Sequence, residues 1–218
     1  MSDRWARRAP WTGIAAVVLF IIAFVVGGET PDFDASTKDI VDYYNDQTAQ
    51  VITSILLLYG SVLLVFFAAT LRSALREANA LSNLVLIGGA LEASGTAIFG
   101  GLNFALTDLA NSDHLSRVDP GALQTLNALN SDFFFPLVLG TSIFLISAGL
   151  AIFASGGLPR WMGWVALLLG IVALTPGGFF AFIASGLWIL AASVILLRRG
   201  ESAAAGGAAA PAAPEPVS

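Results

Sequence analysis

The chain has no cysteine, a single histidine and only 11% charged residues among its 218. Without cysteine no disulfide can form and no thiol relay to a quinone can operate. With His114 alone, a bis-histidine haem and a cysteine/histidine zinc site are excluded as well. A soluble domain carries about 25% charged residues, so much of this surface has to face something other than water. Enzyme signatures are also missing. There is no glycine-rich phosphate loop, no basic cluster for a phosphate-bearing substrate, no serine with a base inside an apolar run and no pair of intramembrane aspartates. No cofactor, no metal site and no nucleic-acid partner are expected.

What is present is apolar sequence, 56% hydrophobic residues with a mean hydropathy of +0.80. About 30 Å of hydrocarbon takes roughly 20 helical residues at 1.5 Å each. Six segments fit that length: 11–28, 50–70, 83–106, 133–153, 159–175 and 179–197. They read as helices, because a span in lipid must bond its own backbone, and the alternation of barrel strands is absent. Thr175-Pro-Gly-Gly breaks the last apolar stretch into two spans. The expected fold is therefore an all-α membrane protein with six transmembrane helices forming one domain over residues 1–200.

The basic residues orient it. Arg4, Arg7, Arg8, Arg72, Arg76, Arg160, Arg198 and Arg199 fall on one side of this scheme, and only Lys38 and Arg117 on the other. Eight against two is a positive-inside signal that puts both termini in the cytoplasm of a cell inner or plasma membrane. Ten of the fifteen acidic residues then lie outside, where topology and solvation account for them. The first span also has features of a cleaved signal peptide, a basic start and small residues at Gly27 and Gly28, although its apolar core is long for one. Its removal would leave five spans in the same orientation.

Short amphipathic outer helices are expected before spans two and four. Ser36 followed by Asp39 makes an aspartate version of the capping box, with Ile40, Tyr43, Tyr44 and Val51 at helical spacing over 37–49 and the tyrosines at headgroup depth. Asp119-Pro120 starts the second, with Leu123, Leu126 and Leu129 leading inward. Residues 201–218, rich in alanine, proline and glycine, read as a disordered cytoplasmic tail. Trp5, Trp11, Trp161 and Trp164 read as anchors at the inner interface. Asp32, Asp34 and Ser36 take the first three ligand positions of an EF-hand loop. Thr37 then replaces its glycine and Tyr43 its glutamate, so the motif fails. Only loose cation binding by the acidic loop stays open. Asp132 reads as a helix cap or a solvated residue, and His114, beside Asp113 and Arg117, as a loop residue.

Glu92 is the prime candidate for function. It lies about 14 Å into the third span, near the midplane, with no basic residue in any span to pair with. Such a carboxyl is expected to keep its proton. Helical spacing places Gly88, Glu92, Thr96, Phe99 and Asn103 on one face, a polar track toward the outside. Tyr59, Ser142 and Trp188 fall at similar depth, which makes a Tyr59–Glu92 hydrogen bond one expectation and a structural interhelical contact another. The candidate intramembrane polar site is thus Glu92, Tyr59, Thr96 and Asn103. On the same helix Gly89, Ala93, Ala97 and Gly101 repeat every four residues, a packing seam for another span or for a second copy of the chain. Gly163 and Gly170 are expected to pack the fifth span in the same manner.

The stretches DIVDYYND, LRSALRE, FFFPLVLGTSIFLISAGLAIF, LPRWMGWVALLLG and LTPGGFFAF resemble small uncharacterised bacterial polytopic integral-membrane proteins of the domain-of-unknown-function type. The resemblance covers residues 10–200 or so. It implies a polytopic helical fold, no activity and no site residues. Two functions follow from the residues themselves. One is a non-catalytic accessory, sensory or interaction protein whose partners are the lipid bilayer and another membrane protein or a second copy. The other is a transporter or channel for a small solute, a proton or a cation, using Glu92. A hydrated cavity reaching Glu92 would favour transport, and a dry, closely packed interior the interaction role.

Overall fold

The structure is a computed structural model and describes residues 8–112, 115–132 and 134–208. His114, Trp5, Arg4, Arg7, Phe133 and residues 209–218 lie outside the described residues. Among those described there are helices and turns but no strand. The principal helices are α1 (Trp11–Gly27), α2 (Thr37–Tyr44), α3 (Gln47–Ala74), α4 (Ala80–Ala110), α5 (Pro120–Asp132), α6 (Phe134–Ser155), α7 (Arg160–Ala173) and α8 (Gly178–Ala208).

Among the described residues four stretches are long and apolar enough to cross a membrane: Gln47–Ala74, Ala80–Ala110, Pro120–Ser155 and Gly178–Gly200. Trp11–Gly27 and Arg160–Ala173 are apolar but shorter. At 17 and 14 residues, they span about 25 Å and about 21 Å.

Glycine contacts fix the direction of each helix. A Cβ built on Gly13 of α1 would lie 2.5 Å from the Phe67 ring of α3, and one on Gly27 would lie 3.1 Å from Thr53. As numbers rise on α1 they fall on α3, so the pair is antiparallel. The same reasoning, from Gly89 against Ala68 and Gly100 against Leu57, makes α3 and α4 antiparallel. Gly88 against Phe144 with Gly95 against Leu137 does so for α4 and α6, and Gly163 against Gly149 with Gly170 against Ile146 for α6 and α7. Finally α8 returns along α1, where Gly13 meets Ser193 and Gly186 meets Val17. In chain order α1, α3, α4, α6, α7 and α8 therefore alternate up and down.

The outer surface is far more apolar than that of a water-soluble protein. Val25, Phe135, Phe180 and Leu187 project outward, while Thr53, Ser61, Glu92, Thr96, Asn103, Thr141 and Ser193 are buried. Apolar outer surface over a partly polar interior fits contact with a lipid bilayer. Without a hydrophobic drive between helices in lipid, close van der Waals packing has to hold them together. That is the role glycine plays at these crossings. The main core joins Phe20, Leu57, Leu64, Phe67, Phe144 and Trp188. Trp188 is 3% exposed and donates Nε1–H to Met162 O at 3.0 Å, whereas Trp11, Trp161 and Trp164 lie on the surface.

The two outer helices sit together as a cap. Ser36 accepts from Asp39 N at 3.2 Å, which makes it the N-cap of α2, and its Oγ–H donates to the Asp39 carboxylate at 2.7 Å, a side-chain bond in place of the capping box's return bond to the Ser36 backbone. The helix expected over 37–49 is instead two. It stops at Tyr44, and Asp46 caps a fresh start by accepting from Ala49 N at 3.2 Å. The Asp119 carboxylate accepts from Gly121 N at 2.7 Å ahead of Pro120, and α5 begins there. Its inward face is Leu123, Asn127 and Asn130, while Leu126 and Leu129 point outward. Ile40, Tyr44, Leu106, Ala110 and Leu123 form a small core beneath the cap.

Candidate functional site

The site is built on α4, the helix that touches both α3 and α6. On one side its backbone meets that of α6 directly. A Cβ on Gly140 would lie 2.2 Å from Glu92 N, one on Gly88 2.3 Å from Phe144 N, and one on Gly95 2.8 Å from Leu137 Cα. Glycines seven residues apart on α4 return to nearly the same face after two turns. They bring Thr141 of α6 alongside Glu92. Glu92 is 1% exposed, and its Oε2 has no hydrogen-bond partner. Thr141 itself donates its hydroxyl proton to Leu137 O at 3.0 Å within its own helix.

Three of the four polar residues singled out in the sequence share this buried face. Thr96 donates to Glu92 O at 2.9 Å, a back-bond within its own helix. Asn103, 1% exposed, points its Nδ2 at Gln50 O, Gln50 Oε1 and Ser54 Oγ, at 3.2, 3.3 and 3.1 Å. Tyr59 is elsewhere, 61% exposed on the outer surface of α3. Of the small residues spaced by four, Gly89 and Ala93 are buried, Ala97 is half-buried, and Gly101 is exposed with nothing within 4 Å of where a Cβ would be. Gly100, the next residue in register, meets α3 instead, 3.1 Å from Leu57 Cβ. Ser142, at similar depth to Glu92, donates to Gly170 O at 3.0 Å and ties α6 to α7.

Two cavities flank this face. The outer one, about 480 Å³, lies under the cap and is lined by Glu29, Thr30, Tyr43, Asn103, Asn130 and Ser131 among others. Its surroundings are tied by side-chain donors to backbone acceptors. Tyr43 donates to Gly27 O at 2.8 Å, Asn127 to Asp32 O at 2.8 Å and Ser131 to Pro31 O at 3.1 Å. Asn111 donates to Tyr44 O at 2.9 Å, and Asn130 to the Tyr44 hydroxyl at 3.1 Å while its own Oδ1 has no partner. Burial holds the phenols of Tyr44 and Tyr43 above the ordinary tyrosine value. The second cavity, about 450 Å³, is a groove between α1 and α8 with Glu92 in its lining. Phe24 and Phe182, edge to face with ring centres 6.2 Å apart, line both spaces.

Sequence reasoning missed Thr141, Gly140 and Gln50, because each contact joins different helices and no pattern within one segment encodes it. The spacing of Gly88 and Gly95 was the signal that could have revealed the α6 contact. Among the described residues no group of three or more histidine, aspartate or glutamate side chains is placed to hold a metal ion. Comparisons with protein-family models, curated proteins and solved structures found no match.

Proposed function

We propose that the chain is a multi-pass protein of the cell inner or plasma membrane, with six spans and both termini cytoplasmic. We further propose that it acts without catalysis as an accessory, sensory or interaction protein presenting its outer cap. The alternation of six helices supports the span count. With Arg160 inside, α6 ends and α8 begins on opposite sides, so α7 and its flanking turns must bridge the bilayer despite a short helix. One observation carries the preference over transport: the backbones of α4 and α6 touch at Glu92 and Gly140, closing the polar face to water on that side. The space that does reach Glu92 is walled by Phe20, Phe24, Phe182 and Ile183, not by polar side chains. Transport of a proton, a cation or a small solute is the second reading, and it draws on the unpartnered Glu92 Oε2.

The test has two arms. A photo-crosslinking residue at Asp42 or Leu129, on the exposed side of the cap, should trap one discrete partner, or a second copy, in native membranes. Proteoliposomes of the purified chain should hold an imposed proton or potassium gradient as long as empty vesicles do. Gradient collapse that Glu92→Gln abolishes, with no trapped partner, would establish the transport reading instead.

A further inference from the structure

The groove between α1 and α8, like the outer cavity with its Asn130 Oδ1, has a buried, unsatisfied polar atom among its lining residues, here Glu92 Oε2. Val25, Ile183 and Leu187 stand at its rim and are 76%, 53% and 67% exposed, so it opens sideways from the bundle. If α1 and α8 cross the membrane, as proposed above, that opening faces hydrocarbon. Phe20, Phe24 and Phe182 wall it, and only Glu92 among its lining residues is ionisable. Ser185, the other side chain there with a polar atom, has committed its hydroxyl proton to Phe182 O at 2.6 Å. Glu92 Oε2 is thus the side-chain polar atom among the lining residues that has no partner. An acceptor with no donor in an apolar environment is costly, and water is a poor occupant of a space with so few polar partners.

We propose that this groove binds an apolar molecule entering from the bilayer and bearing one neutral hydrogen-bond donor, an alcohol, which it gives to Glu92 Oε2. The walls supply dispersion and area burial along a chain, and the carboxyl fixes where the hydroxyl sits. A charged amine fits less well. It would require Glu92 to ionise, and an ion pair in so apolar a lining carries a large desolvation cost.

The inference rests on the reading of α1 and α8 as spans, and its test keeps the two apart. The full chain, in detergent micelles and in phosphatidylcholine nanodiscs, is labelled with a diazirine-bearing long-chain primary alcohol. Hexadecanol, hexadecylamine and hexadecane serve as competitors, and labelled residues are mapped by mass spectrometry. Labelling should concentrate on α1 and α8 and be competed by hexadecanol but not by hexadecane. Glu92→Gln keeps a carbonyl acceptor in place and should bind within about twofold of the parent, while Glu92→Leu should lose about tenfold. Should Glu92→Leu fail to fold, Gly186→Phe provides the second variant. A Cβ at Gly186 would meet nothing closer than 3.5 Å, and Gly186 lines the groove, so a ring there should block it while leaving the Glu92 side chain unchanged. Labelling spread evenly over all outward helix faces, or unaffected by both Glu92→Leu and Gly186→Phe, would overturn the proposal. Preferential competition by hexadecylamine, lost in Glu92→Gln, would overturn it in favour of a cation site. Focused labelling in micelles but not in nanodiscs would reject the membrane placement while leaving the groove as a binding site.

Discussion

Gly140 has no room for even a methyl group, because the space where its Cβ would go is already occupied by the Glu92 backbone 2.2 Å away. Gly140→Ala should therefore force α4 and α6 apart and cost about 1–3 kcal/mol, the usual penalty of overpacking. Gly101→Ala, with nothing within 4 Å, should be neutral or gain up to about 1 kcal/mol from helix propensity. Thermal midpoints of the two variants in the same detergent decide it, and equal midpoints would contradict the packing argument. Glu92, Thr96 and Asn103 were legible in the sequence because polar side chains at helical spacing inside an apolar run stand out. Tyr59 was not placed correctly by the same arithmetic, since counting residues gives depth along a helix but not which way a side chain faces across the bundle. Gly101 stood out by its regular spacing, yet the close contact falls to Gly100, one residue away.

Helices α2 and α5 depend on each other. Neither is long, and what anchors them is a set of amides donating to backbone carbonyls across the cap. Asn127→Ala should leave Asp32 O without its donor and cost about 1–2 kcal/mol, read as faster hydrogen exchange over residues 31–44. The buried Tyr44 phenol makes the cap alkali-sensitive. Its value is raised in the folded chain and ordinary in the opened one, so its contribution is complete below pH of about 10 and is lost as pH rises beyond that. The cap should accordingly open at high pH, and Tyr44→Phe should blunt that alkaline opening while losing the hydrogen bond from Asn130. The phenolate ultraviolet signal, followed with hydrogen exchange of α2, reports both. At this scale the sequence spelled out the caps at Ser36 and Asp119, whose partners are local. It did not reveal that α2 ends at Tyr44, nor that α5 turns asparagines rather than leucines inward, because those depend on what covers each helix.

At the scale of the molecule, six helices among the described residues run alternately and pack through glycine, and four stretches there are long and apolar enough to cross a bilayer. The hydropathy of the chain announced apolar helices, but it did not reveal how short α7 would be, because turns at both ends absorb residues that hydropathy alone assigns to the span. The topology proposed above has all six crossing, with arginine-bearing ends inside. The absence of cysteine from the chain offers a clean test. Single cysteines at Asp34→Cys, Thr125→Cys and Thr175→Cys, and at Ser73→Cys, Ser155→Cys and Ser202→Cys, are exposed to a membrane-impermeant maleimide on intact cells. The first three should react from outside and the last three only after the membrane is opened. Labelling of Ser202→Cys or Ser73→Cys on intact cells, or protection of Thr175→Cys until lysis, would contradict it.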